Sequence, residues 1–328
     1  MSTSFKLCLI CLITLISYSC IANNQVNKEI QHCQSVMPDS ARLACFDAIQ
    51  IYTQNINEVT NDIIKHSEHK DKGPSNKPQN HFPTLIADLN EPDLFISLGN
   101  LDFLGSSAKA VLLGVGKRQS IKDFEFSNGH SLAFNIFGQI RSQFDVNELD
   151  TRNNRGGALI NTDFSVGGEV VQSLDNWNWR FSYTHKSTHL GDEFLIDNPE
   201  FLENRLNLSY ETVRWDAHKA VKNWDFYAGL GFITRAEPGD LDKFMWQAGW
   251  QFQGDRWHFI NPIWAVDLAS WGAYDWNINI NVRAGIEVHR LTNSPFQLLF
   301  EYQDGHSPYG QFFNEDLTFS GITFLKNW

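Results

Sequence analysis

From about Leu94 to the last residue, apolar and polar positions alternate along the chain. That is the pattern of β-strands, whose successive side chains leave opposite faces. Trp276, Ile278, Ile280, Val282, Ala284, Ile286 and Val288 alternate with Asn277, Asn279, Asn281, Arg283, Gly285, Glu287 and His289. Phe244, Trp246, Ala248, Trp250 and Phe252 stand against Lys243, Gln247, Gly249, Gln251 and Gln253, and Leu132, Phe134, Ile136 and Ile140 against Ser131, Asn135, Gln139 and Arg141. A soluble sandwich alternates too, so length decides. These runs exceed the roughly 5–6 residues of globular strands and reach the roughly 9–11 that cross a bilayer at a tilt. About twelve such segments, an even number, predict an all-β fold, an antiparallel transmembrane β-barrel. Short links at Ser173–Asn176, Gln253–Arg256 and Arg290–Pro295 alternate with longer ones at Asp145–Gly157, Thr188–Glu203 and Gly305–Glu315. With both termini in the periplasm, the longer links face outward from the cell. Two places break the scheme: an overlong link from Arg118 to Gly129, and a parity change between Phe319 and Ile322 that reads as a bulge at Gly321.

Upstream the pattern differs. A short apolar run after Lys6, followed by small residues up to Ala22, predicts a signal peptide over residues 1–22. Lipidation at Cys20 is the alternative, although Ser17 stands where a lipobox wants leucine. Ile49, Tyr52, Ile56, Val59 and Ile63 recur at spacings of three and four, which predicts an amphipathic helix within a periplasmic segment, residues 23–66. Polar residues with Gly and Pro make residues 67–84 a linker, and residues 85–328 the barrel, closed by a strand ending in Trp328. Past the leader only Cys33 and Cys45 remain, and in an exported chain they read as one disulfide. The loop it closes is short, so its stabilisation is local, about 3 kcal/mol by the loop-entropy model. Mass spectrometry of oxidised envelope preparations should find this pair bridged; two free thiols there would end the assignment.

Composition narrows the partners. The 26 basic and 38 acidic residues leave a net charge of -12, which excludes nucleic acid bound through bulk charge. No apolar run outside the leader reaches the roughly 18 residues of a membrane helix. The 11 Trp and 25 Phe supply rings for the interfacial girdles of a barrel. The expected location is the outer membrane of a Gram-negative bacterium, and the expected partners are its lipids, with a homodimer as a further candidate. Phosphate-binding glycine loops, His-Glu-x-x-His and Gly-x-Ser-x-Gly are missing from the sequence, so nucleotide and soluble-hydrolase chemistries find no support.

One segment carries chemistry. Trp177, Trp179, Phe181 and Tyr183 share the lipid-facing parity, and continuing it reaches His185 and Ser187 at the strand end. On the returning strand, Leu206, Leu208 and Tyr210 carry the apolar parity, which sets Asn204 on the same outer face. A serine needs an adjacent base, and the base needs a third group to fix its tautomer. Ser187 is then the candidate nucleophile, His185 the base and Asn204 the orienter; the plain alternative is a set of ordinary interfacial polar residues. His189 and Arg205 flank this set as candidate binding residues. Asp192 and Glu193 are adjacent carboxylates that could ligate a hard cation such as Ca²⁺, or simply form a solvated acidic turn. The competing function is a non-enzymatic envelope barrel or a narrow channel.

At His185-Lys-Ser187-Thr-His189-Leu-Gly191-Asp192-Glu193-Phe194, Leu85-Ile-Ala87-Asp88 and Gly305 to Phe313, the chain resembles a bacterial family known as domain of unknown function 1207. The resemblance implies a barrel-like envelope protein. A looser one is to outer-membrane phospholipase A barrels, whose His-x-Ser and downstream Asn look like His185, Ser187 and Asn204-Arg205-Leu206; the segment Cys33 to Asp47 is also similar to stretches preceding such barrels. It implies a lipid acyl hydrolase at the outer rim. The chain departs from it where Ser187-Thr188-His189 replaces Ser-Asn-Gly and where the stretch to Asn204 is longer.

Overall fold

The computed structural model describes residues 82–147, 157–174, 176–199, 201, 208–237, 239–289 and 295–326. The signal peptide, the Cys33–Cys45 pair, the helical segment, the linker as far as residue 81, and Trp328 lie outside the described residues. Within them are twelve strands: β1 (Leu94–Phe103), β2 (Ser106–Glu125), β3 (Ser131–Asp145), β4 (Ala158–Leu174), β5 (Trp177–Leu190), β6 (Ser209–Val221), β7 (Trp224–Glu237), β8 (Phe244–Gln253), β9 (Ile260–Trp271), β10 (Ile278–Val288), β11 (Phe296–His306) and β12 (Asp316–Lys326). Each pairs antiparallel with its chain neighbour, and β12 pairs with β1. The barrel closes, so no edge is left with unpaired backbone groups.

The alternation read from sequence divides outside from inside. Phe134, Ile136 and Ile140 on β3, Phe181 on β5, Leu230 on β7 and Phe300 on β11 are exposed on the outer wall. Gln139, Arg141, Arg180, Gln247, Gln251, Asn281 and Arg283 are buried inside. Near the end where the chain enters at Leu94, Trp177 stacks on Trp179 (ring centroids 5.7 Å) and Trp179 on Trp215 (5.2 Å), with Lys219 Nζ 4.9 Å above the Trp177 ring. Such a belt marks a membrane–water boundary.

The lumen is filled by a segment that has no strand periodicity. Residues 82–93, ahead of β1, run through it, with Phe82, Leu85, Ile86, Ala87, Asp88, Glu91 and Asp93 buried. Arg283 donates to the Ile86 carbonyl (2.6 Å), Asn281 to the Ala87 carbonyl (2.7 Å) and Gln139 to the Glu91 carbonyl (2.6 Å), while the Ile86 N–H donates to Gln251 (3.0 Å). The Glu91 carboxylate lies between Arg118 (2.6 Å) and Arg180 (3.2 Å). These arginines continue to Glu169 (2.7 Å) and Asp216 (3.0 Å), so the plug joins an ion-pair chain along the wall. Paired in this way, the charges can be buried where isolated ones could not.

Asp93, at the end of the plug and outside the membrane-spanning strands, has its carboxyl pushed up to about 7 by burial and by the charge of Glu91. A raised carboxyl holds its proton in the folded state while the unfolded chain has lost it, so stability falls as pH rises from the ordinary value of 3.8 toward 7. Denaturant midpoints should decline over that window in the wild-type protein, and Asp93→Asn should remove this contribution.

Two details of the sequence reading are corrected. Arg118 to Glu125 is not a link but the lower half of β2, paired with β3 as far as Glu125–Ser131, with one irregularity between Ser120 and Lys122. Most of those residues are exposed, so neither face demands apolar side chains and the alternation fades. β12 carries no bulge at Gly321, because its register with β1 and β11 is continuous. Leu317 and Phe319 point inward, where the upper lumen is apolar and includes Phe103 and Phe312, whereas Ile322 and Phe324 point outward. The apolar face changes side; the backbone does not.

Candidate active site

The segment His185 to Leu190 ends β5 at the long-loop end of the barrel, and its alternation holds. His185, Ser187 and His189 leave the outer surface, while Lys186 and Thr188 are buried inside. Lys186 Nζ reaches the Asp163 carboxylate (3.0 Å) and the Pro308 carbonyl (3.0 Å); Thr188 also bonds Asp163, and its own carbonyl accepts from Gln311 (3.0 Å). Two inward side chains thereby fix the strand that presents three outward ones.

This locking joins the three stretches singled out in the sequence. The Gly310 N–H donates to Asp163 (3.1 Å). Phe312, in a 3-10 turn (Gly310–Phe312), meets Phe194 edge-on at 5.5 Å and Phe103 at 4.9 Å. Phe194 belongs to the six-residue helix α1 (Asp192–Asp197) that follows β5. Leu85 to Asp88 form the plug below.

Height along the barrel follows from geometry. His185 lies eight residues above Trp177, so a rise of about 3.3 Å per residue and a tilt of about 40° put it roughly 20 Å above that belt. An apolar band about 25 Å tall would end close by. His185 and Ser187 therefore sit near the far membrane boundary, in a surface groove they share with Val115, Ile140, Phe164 and Val166.

His185 has a partner that the sequence reading missed. It stands directly opposite Glu211 of β6, with Nδ1 3.7 Å from the carboxylate, and Arg235 of β7 approaches the same carboxylate at 3.8 Å. Glu211 could have been found, since it continues the outward parity of Trp215 and Val213. Arg235 could not: the register slips between Glu211 and Thr212, leaving Thr234 as an extra residue on β7, and this turns Arg235 outward.

The parity assigned to the returning strand is reversed. Leu208 is buried and Tyr210 packs inside with Trp271, so the odd-numbered residues of β6 are the outward ones. Asn204 and Arg205 themselves lie outside the described residues. Ser187 faces Phe164 on β4 and Ser209 on β6, and His189 meets the Phe164 ring edge-on at 5.7 Å. Asp192 and Glu193 are exposed in the first turn of α1. Two carboxylates fall short of the roughly six to eight oxygens of a Ca²⁺ site, and among the described residues no group of three His, Cys, Asp or Glu could hold a metal.

The family model described as protein of unknown function (DUF1207) matches residues 102–327. No curated protein matches the chain. Among solved structures, an active-site mutant of outer membrane phospholipase A from Escherichia coli aligns at 10% identity and a TM-score of 0.50, over 76% of this chain and 95% of that one. The calcium-bound outer membrane phospholipase dimer of Salmonella typhi aligns at 11% identity and 0.48, over 76% and 94%. The transport unit of the autotransporter AIDA-I from Escherichia coli aligns at 14% and 0.39, over 74% and 92%. At such identities the likeness shows the fold alone, an outer-membrane type of barrel.

Proposed function

The chain belongs to the DUF1207 family, and from the geometry of this member we propose a lipid acyl hydrolase of the outer membrane that works at its outer rim. The observation that carries the reading is the outward His185 and Ser187 in one apolar groove, with the Glu211 carboxylate on the Nδ1 side of the imidazole. A carboxylate at Nδ1 favours the tautomer whose Nε2 is free to accept a proton. Ser187 Oγ attacks the acyl carbonyl carbon while its proton passes to Nε2. The intermediate then expels the glycerol oxygen, which takes that proton, and water repeats the sequence on the acyl-serine to release fatty acid and restore Ser187. Apo geometry of this kind is commonly long and tightens with substrate, so 3.7 Å suits the pairing.

Glu211 replaces Asn204 as the favoured orienter in this scheme. Glu211→Gln should lower the rate of fatty-acid release about tenfold to a hundredfold, less than a fully buried third member would, because solvent screens a half-buried carboxylate. Asn204→Ala should change it little, and the reverse ranking would return the role to Asn204. The plugged lumen is what disfavours the channel alternative.

A further inference from the structure

Two carboxylates in the lumen are buried without a counter-charge. Asp88 of the plug and Asp267 of β9 are 4% and 5% exposed, and both line one cavity of about 120 Å³ beside the plug. The cations lining it with them are engaged elsewhere: Lys186 with Asp163 (3.0 Å) and Arg214 with Asp216 (2.7 Å). Among the described residues neither Asp88 nor Asp267 belongs to an ion pair. A buried charge is expensive unless it is paired or coordinates a metal.

Register adds a second, independent observation. Asp267 stands directly opposite Asn281 of β10, and Asn281 opposite Gln303 of β11, so three inward side chains form one row across neighbouring strands. Asn281 donates its amide N–H to the Ala87 carbonyl (2.7 Å), which holds the adjoining Asp88 against this row, and Gln303 donates to Glu301 (2.8 Å). The amide oxygens Asn281 Oδ1 and Gln303 Oε1 are buried and, among the described residues, accept nothing, although both side chains line the cavity. On Asp267, Tyr227 and Gln247 both donate to Oδ2, at 2.6 Å each, so neither serves Oδ1. Asp88 Oδ1 accepts the Asn90 N–H (2.8 Å).

We propose that Asp88, Asp267, Asn281 and Gln303 bind one Ca²⁺ ion that ties the plug to the wall. Hard cations take carboxylate and amide oxygens, and these side chains supply four of the roughly six to eight that Ca²⁺ needs. The cavity has room for waters to complete the shell. Two carboxylates match the charge of the ion. Ligands drawn from three strands and a separate segment suit the irregular shell of Ca²⁺ better than the strict octahedron of Mg²⁺. The set holds only two carboxylates, so it is not among groups of three His, Cys, Asp or Glu. It does not depend on the hydrolase reading.

The test uses the purified full-length protein after treatment with EDTA. Tb³⁺, which replaces Ca²⁺ at oxygen sites and is excited through nearby rings, should luminesce through Tyr210, Trp271 and Tyr274, which line the same cavity, and Ca²⁺ should displace it. Asp88→Asn and Asp267→Asn keep the shape and remove the charge. Each should weaken Ca²⁺ competition by about a hundredfold or more, since changes even one shell beyond the ligands cost roughly 10–100-fold. Ca²⁺ should raise the thermal midpoint of the wild type and leave that of either variant unmoved. Heat-modifiable migration would show that both variants form the barrel, and an Asp192→Asn/Glu193→Gln double variant should bind as the wild type does. Failure of Ca²⁺ to displace Tb³⁺, or unchanged affinity in the folded luminal variants, overturns the site. Binding lost only in the Asp192→Asn/Glu193→Gln variant does so too, by moving the ion to the rim.

Discussion

Ser187→Ala should abolish fatty-acid release from mixed phospholipid–detergent micelles, by roughly 10⁴-fold or more, while the protein keeps its β-spectrum and heat-modifiable migration. The expected loss is large because Ser187 is the outward hydroxyl beside His185 in the groove: Ser165, which also lines it, has the inward parity of Asp163 and Glu169, and Ser209 is on the next strand, outside the groove lining. Removing one member of a nucleophile–base pair costs nearly as much as removing both, so His185→Ala should match it within about tenfold, and the double variant should add little. Such non-additivity is the signature sought. Independent, modest losses from the two substitutions would mean that the residues act as interfacial contacts. Equal rates in wild type and Ser187→Ala would remove the hydrolase reading altogether.

The second large effect is expected at the plug. Glu91→Ala leaves Arg118 and Arg180 facing each other across the site of the lost carboxylate, with the carboxylates of Glu169 and Asp216 respectively still paired to them. Breaking a buried ion pair from one side costs about 3–5 kcal/mol, since the partner charge stays buried. Burial alone would raise the Glu91 carboxyl, but the two arginines outweigh it and hold it below the usual carboxylate range. Its contribution is therefore complete above that range and is lost as pH falls through the lowered folded value. Chemical unfolding at neutral pH should show a reduced midpoint for Glu91→Ala, and the gap from wild type should narrow in acid. Deleting residues 82–93 should go further and open the lumen: wild-type protein in planar bilayers should stay silent, whereas the deletion variant should conduct. Equal conductance of the two would show that the segment does not seal the barrel.

Much of the fold was legible because a strand writes its two faces into alternate residues. Phe134, Ile136 and Ile140 could be assigned outward, and Gln139 and Arg141 inward, without knowing any neighbour. The same local rule placed His185 and Ser187 on the outer surface. It failed at Leu208 and Tyr210, where the upper lumen is itself apolar, so hydrophobicity no longer marks the lipid side. Leu317 and Phe319 misled for the same reason, and a change in what fills the interior looked like a break in the backbone.

What the sequence determined by itself was the antiparallel barrel, its approximate strand number and the side from which each regular stretch is seen, because all of these follow from a period of two within single strands. What only the tertiary structure decided was who stands beside whom. The pairing of His185 with Glu211, the slip that turns Arg235 toward them, the alignment of Asp267 with Asn281 and Gln303 and the threading of residues 82–93 through the lumen depend on register and closure. Those are set by contacts between residues distant in the chain, and the hydrogen-bonded ring that fixes them exists only once β12 has met β1.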